Sequence, residues 1–135
     1  MIDTIHASLE AVAEQYGDPT EAVYERMFKE HPEMKPLFIL DEDGGAQGHM
    51  LQEAIDMLID MAGANRFGEN FIQIELANHV GFGVPTDVFM TFFRIIKDTF
   101  NDLLGAEWTS DFDSAWSELL QRADAIMQAK IAETT

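Results

Sequence analysis

One histidine of the chain has the surroundings that a metal ligand needs. His79 follows Ile72 and Leu76 at helical spacing, so it shares their apolar face, and it stands at a helix end beside the glycine-containing stretch 81–85. A neutral imidazole in an apolar pocket is a good ligand for a transition metal. The alternative is a buried histidine that hydrogen-bonds to the backbone.

Two polar residues on a second predicted helix, from about Ala46 to Ala62, are candidates to face such a metal. At about 100° per residue, Gln47 shares its side of the helix with Leu51, whereas His49 points in almost the opposite direction among charged residues. We therefore expect Gln47 to lie on the buried face and His49 to face solvent. A capping or surface position is the alternative for Gln47.

Two aromatic residues complete the set of candidates. Tyr24 shares a helical face with Met27 and Phe28, and Phe38 ends a short stretch that two prolines constrain. Either ring has a purely structural reading as a core aromatic. In that reading the Tyr24 hydroxyl donates to a backbone carbonyl.

The elements that must position these residues read as about six helices and one short turn, with little strand-like alternation. The last two helices are long, and we expect them to pack as an antiparallel pair. Loops are predicted over 41–45 and 63–70. The predicted helices are 4–16, a second that starts after Asp18-Pro19 and fades at His31-Pro32, 46–62, 71–79, a fifth that opens at Thr86, and a sixth capped by Thr109 or Ser110.

Composition narrows the class of protein. A chain of 135 residues that is 47% hydrophobic suits one domain, 1–135, with one core. The lack of cysteine excludes disulfides and thiolate metal sites, and a net charge of −17 disfavours nucleic acids and anionic membranes. No apolar run has the length of a membrane span, and the first residues do not resemble a signal peptide. We expect a cytoplasmic protein with no membrane association.

Several residues and motifs recur in an order and spacing that extend over nearly the whole chain. They are Tyr24, the segment 31–38 (HPEMKPLF), Gln47 with Leu51, the segment 79–84 (HVGFGV) and Trp116. Together they resemble the globin family, and most closely its single-domain bacterial haemoglobins and the haem domain of flavohaemoglobins.

The resemblance implies an all-α globin fold, a 3-over-3 sandwich of about six helices around a haem pocket. It implies haem b as the cofactor and His79 as the proximal ligand of the haem iron. Tyr24 and Gln47 would be the distal pair that hydrogen-bonds to a bound ligand. The loop between Phe38 and Gln47 is about one residue short for the family, so His49 is the fallback distal residue.

The resemblance also assigns the haem pocket. Phe38 would stack on the haem, Leu51 would form the apolar wall over the iron, and Val84 would touch the haem edge. Phe89 stands where bacterial relatives often have a tyrosine beside the proximal histidine. We also find no clear glutamate in the last helix to polarise His79, which argues against peroxidase-like or reductase-coupled activity.

The function that the resemblance implies is reversible binding of oxygen or another diatomic gas, for storage or delivery, without catalysis. One alternative is a nitric oxide dioxygenase that draws electrons from a separate reductase. Another is a haem-free globin-like sensor or interaction module, which the presence of His79 disfavours. Exposed aromatic surface on the two long helices would suit a homodimer.

Overall fold

The structure is a computed structural model that describes residues 1–133. Those residues form six α-helices and two short 3₁₀ segments and contain no strand, which confirms the predicted all-α class. The helices are α1 (Ile2–Gln15), α2 (Thr20–Glu30), α3 (Gly45–Ala62), α4 (Gly68–Gly81), α5 (Thr86–Leu104) and α6 (Ser110–Glu133), and the 3₁₀ segments are Pro32–Phe38 and Gly105–Glu107.

The helices pack in two layers of three. In one layer α3 lies between α1 and α4, and in the other α5 lies between α2 and α6. Contacts of α1 with α6, of α2 with α3 and of α4 with α6 join the layers. This is the 3-over-3 arrangement that the family resemblance implies. No helix within the described residues is long and apolar enough to cross a membrane.

Polar side chains accept free amides at the starts of two helices near the predicted positions, although Pro19 and not Asp18 is the N-cap residue of α2. The Asp18 carboxylate accepts the backbone N–H of Thr20 at 3.0 Å and so begins α2. The Thr109 hydroxyl accepts the N–H of Phe112 at 3.1 Å and begins α6. Each cap satisfies an amide that has no partner within its own helix.

Helices α5 and α6 form the predicted antiparallel pair. Lys97 Nζ lies 2.9 Å from Ser117 Oγ, near the middle of α5 and the first half of α6. Met90, near the start of α5, lines one groove with Met127, near the end of α6. The contacts therefore run in opposite directions along the two helices.

A buried polar chain fixes α1 against α6. Trp116 Nε1 donates to Ser8 Oγ at 2.8 Å, and that hydroxyl donates to the carbonyl of Ile5 at 2.6 Å. The indole also packs against Phe100 of α5 with perpendicular ring planes, and the ring centroids lie 5.6 Å apart. Both polar side chains are buried, and these two hydrogen bonds give each of them a protein partner.

The predicted loop 63–70 is wrong in its last residues, because α4 already begins at Gly68. The cause is Asp60 near the end of α3. Its carboxylate accepts the N–H groups of Arg66 at 3.2 Å, Phe67 at 2.9 Å and Gly68 at 2.6 Å. Burial opposes ionisation of this carboxyl, but the three N–H groups outweigh it and hold the pKa of Asp60 below its ordinary value.

Candidate functional site

A largely apolar cavity of about 460 Å³ lies between the two layers. Its size is within the range of small-molecule and cofactor sites, about 300–1,000 Å³. Four of the described lining residues are polar, namely Tyr24, Glu53, Glu75 and His79. The apolar lining residues are Met27, Met34, Leu37, Phe38, Met50, Ala54, Met57, Phe82, Val84, Val88, Phe89, Phe92 and Phe93.

His79 stands in the cavity wall near the end of α4. Leu76 and Ile72, one and two turns earlier respectively, are buried and hold this face of the helix against the core. The imidazole is 24% exposed, and its Nδ1 lies 2.7 Å from the backbone oxygen of Glu75. A carbonyl oxygen only accepts, so we assign the proton to Nδ1, and Nε2 then keeps its lone pair. That nitrogen is free to bind a metal.

Phe89 of α5 packs beside the imidazole. The two ring centroids are 4.9 Å apart. Phe89 brings no hydroxyl to His79, in agreement with the expectation that a tyrosine is missing here. The orientation of the imidazole therefore depends on the Glu75 carbonyl and on packing against this ring.

Tyr24 supplies a buried polar atom to the cavity. Its side chain is only 2% exposed, and its hydroxyl has no hydrogen-bond partner among the described residues. Burial, with a smaller contribution from the nearby charge of Asp41, raises the pKa of this phenol above its ordinary value. The hydroxyl therefore stays neutral and keeps its proton available for a bound molecule.

A cluster of aromatic rings holds Tyr24 in place. Its ring centroid lies 5.9 Å from that of Phe28, 5.5 Å from that of Phe38 and 5.6 Å from that of Phe92. Such edge-to-face and tilted contacts add about 0.5–1.5 kcal/mol each beyond area burial. The cluster leaves the phenol little freedom to turn away from the cavity.

Helix α3 presents a different face to the cavity from the one predicted. The lining residues of this helix are Met50, Glu53, Ala54 and Met57. They fall one residue out of step with the predicted pair Gln47 and Leu51, neither of which is among the described lining residues.

The three predicted distal residues of α3 are placed elsewhere. Leu51 is buried in the core, and Gln47 is half-buried near the helix start, where its N–H donates to Asp41 at 3.0 Å. His49 is exposed and lies 3.2 Å from Glu53. The roles of Gln47, Leu51 and His49 toward a ligand stay predictions, whereas Tyr24, Phe38, Val84 and Phe89 do line one cavity with His79.

Glu75 is the polar neighbour of His79 that the sequence analysis missed. Its Oε2 atom lies 3.8 Å from His79 Nδ1, and its side chain is 20% exposed. The family resemblance points to the last helix for such a carboxylate. The spacing of four residues along α4 was the available signal, since residues i and i+4 are neighbours on a helix surface.

The sequence profile of the globin family matches residues 21–127, most of the chain. The chain belongs to the globin family. The matched span includes every described residue that lines the cavity. No solved structure matches the chain.

Globins typically hold haem, and the cavity of this globin fits that group. A porphyrin needs an apolar, largely aromatic enclosure and a nitrogen ligand for its iron. This globin offers thirteen apolar lining residues and the free Nε2 of His79. Its partnerless Tyr24 hydroxyl is the kind of atom that a polar ligand in the pocket satisfies.

Proposed function

We propose that this globin holds haem b through His79 Nε2 and reversibly binds oxygen or another diatomic gas, for storage or delivery. The observation that carries the proposal is the pairing of two groups in one apolar cavity, the imidazole with a free Nε2 and the buried, partnerless hydroxyl of Tyr24. When bound, haem supplies an iron that coordinates the gas.

The residues of the chain supply the rest of the gas-binding site. Tyr24 donates a hydrogen bond to the polar end of the ligand, and burial keeps the phenol protonated for that task. Phe38 and Val84, with the methionines of α3, keep water from the cavity. A dry cavity strengthens the hydrogen bond from Tyr24 and would slow oxidation of the haem iron.

The direct test is an absorbance spectrum of the purified protein with haem, in its ferric, ferrous and carbonmonoxy forms. We expect a Soret band with the features of a histidine-ligated haem. His79→Ala should lose the haem or show a changed axial spectrum, while His6→Ala, at an exposed histidine of α1 that does not line the cavity, should retain the wild-type spectrum. An unchanged spectrum in His79→Ala would refute the assignment.

A second function is favoured by one observation, the Glu75 carboxylate beside His79. Carboxylates near a metal-bound histidine make it more basic and favour redox chemistry. We therefore keep nitric oxide dioxygenation as the alternative, in which nitric oxide, oxygen and one electron from a separate reductase yield nitrate. Turnover with nitric oxide and a reductase should distinguish the two, because a storage protein reacts once and is not re-reduced.

A further inference from the structure

The proximal histidine contacts two different groups of one residue. Glu75 brings its backbone oxygen to 2.7 Å and its carboxylate Oε2 to 3.8 Å from His79 Nδ1. Both groups lie on the side of the imidazole away from the nitrogen that is free for a metal. The single N–H of Nδ1 is therefore directed at the carbonyl, with a negative charge close beside it.

The carboxylate is held in this position. Its other oxygen, Oε1, accepts a hydrogen bond from Asn78 Nδ2 at 3.4 Å. Within residues 1–133, His79 is the partner in its ion pair, and no lysine or arginine neutralises it. On the α5 side, the ring of Phe89 packs against the imidazole, and the described α5 residues that line this cavity are all apolar. Glu75 is thus the nearest charge to His79.

We propose that Glu75 is a positioning residue for the proximal ligand, whose side-chain carboxylate polarises the Nδ1–H bond that the backbone carbonyl already orients. The polarised ring is a stronger electron donor at Nε2, because negative charge near the N–H favours imidazolate character. α4 thereby supplies a polarising carboxylate from its own sequence. The proposal rests on haem binding through His79.

The test replaces the charge and keeps the shape. Glu75→Gln retains the backbone carbonyl and the side-chain length but removes the negative charge. In the ferrous haem protein we expect the iron–histidine stretching band in resonance Raman spectra to move to lower frequency. We expect the midpoint potential to become more positive and the rate of haem loss to rise roughly tenfold, as for other partners of metal-bound histidines.

Glu69→Gln is the matched control. Glu69 lies on the same helix and loses the same charge, but it pairs with Arg122 and does not line the cavity. Glu69→Gln should leave the stretching band and the midpoint potential unchanged. Glu75→Asp, which keeps the charge, should show a smaller shift from wild type than Glu75→Gln.

Two results would overturn the role of Glu75. One is an unchanged band in Glu75→Gln, and the other is an equal shift in both glutamine variants, which would indicate a general charge effect. A wild-type protein without a Soret band would instead overturn haem binding itself, so the two failures are distinguishable. The thermal midpoints of the apoproteins check that each variant folds.

Discussion

At the scale of single residues, Tyr24 has opposite consequences for folding and for binding. Its hydroxyl is buried without a protein partner, and an unsatisfied buried polar group costs about 1–3 kcal/mol of folding free energy. A polar ligand in the cavity satisfies the same hydroxyl. Under the proposed function, the residue would therefore destabilise the empty globin and stabilise the occupied one.

Replacement of this hydroxyl should separate the two effects. We expect Tyr24→Phe to raise the unfolding free energy of the apoprotein by about 1 kcal/mol, measured by urea denaturation. In the haem protein the same variant should release oxygen about tenfold faster, because one hydrogen bond of about 1.4 kcal/mol is lost. Tyr16→Phe, on an exposed ring, should change neither quantity. A less stable Tyr24→Phe apoprotein would show that the hydroxyl has a partner.

The sequence predicted some site residues and missed another for a physical reason. Helical periodicity put His79 on the face of Ile72 and Leu76, and in the structure those two residues are buried while His79 lines the cavity. Glu75 was missed because a glutamate four residues before a histidine on a helix is usually one half of an ordinary surface pair. Only the burial of this stretch of α4 turns that pair into a contact of a candidate ligand.

At the scale of the helices, α3 shows why a buried face does not identify a cavity face. Its buried residues include both Leu51 and Met57, because the helix packs on α1, α4 and α6 as well as on the cavity. The buried surface of α3 is therefore wide enough to face several neighbouring helices as well as the cavity. Periodicity alone predicted that α3 is half-buried, but the choice of Met50 over Leu51 depends on how neighbouring helices rotate it.

The junction of α3 and α4 leaves no room for a side chain at Gly68. A Cβ atom there would lie 2.6 Å from the carbonyl oxygen of Met57 and 2.7 Å from Cγ of Met61. We expect Gly68→Ala to lower the unfolding free energy by about 1–3 kcal/mol, since the backbone of α3 must shift. Urea denaturation of the apoprotein measures this.

Gly48→Ala on α3 is the matched substitution. Nothing lies within 4 Å of its added Cβ, so a helical alanine should raise stability by about 0.5–1 kcal/mol. Equal effects of the two substitutions would show that the close approach at Gly68 is absent.

Asp60 makes the same junction sensitive to pH. Its pKa is lowered from an ordinary 3.8, so its stabilising effect is complete above that value and is lost as the pH falls through the folded-state pKa. Asp60→Asn should therefore be less stable than wild type at neutral pH, and the difference should shrink as the pH falls below about 3.8. Denaturation at several pH values would show it. A difference that persists in acid would assign the loss to geometry and not to charge.

At the scale of the whole molecule, the protein and haem both carry negative charge. The chain has 25 acidic residues against 8 lysines and arginines. The described cavity lining contains Glu53 and Glu75 but no lysine or arginine. Haem has two propionate groups that are negatively charged at neutral pH. The field of this protein would therefore oppose the approach of haem, and under the proposed function apolar contacts and ligation by His79 have to outweigh that repulsion.

Screening of this repulsion should be measurable. The Debye length is about 10 Å at 0.1 M salt, so added sodium chloride weakens the repulsion while leaving buried apolar contacts in place. We expect ferric haem to associate faster and to dissociate more slowly as the salt concentration increases. Transfer of haem to an excess of acceptor apoprotein measures the dissociation rate. Carbon monoxide binding to the ferrous protein should not vary with salt, because that ligand carries no net charge. Faster haem loss in salt would show that cations hold the propionates, which would place a lysine or arginine at the mouth of the occupied cavity.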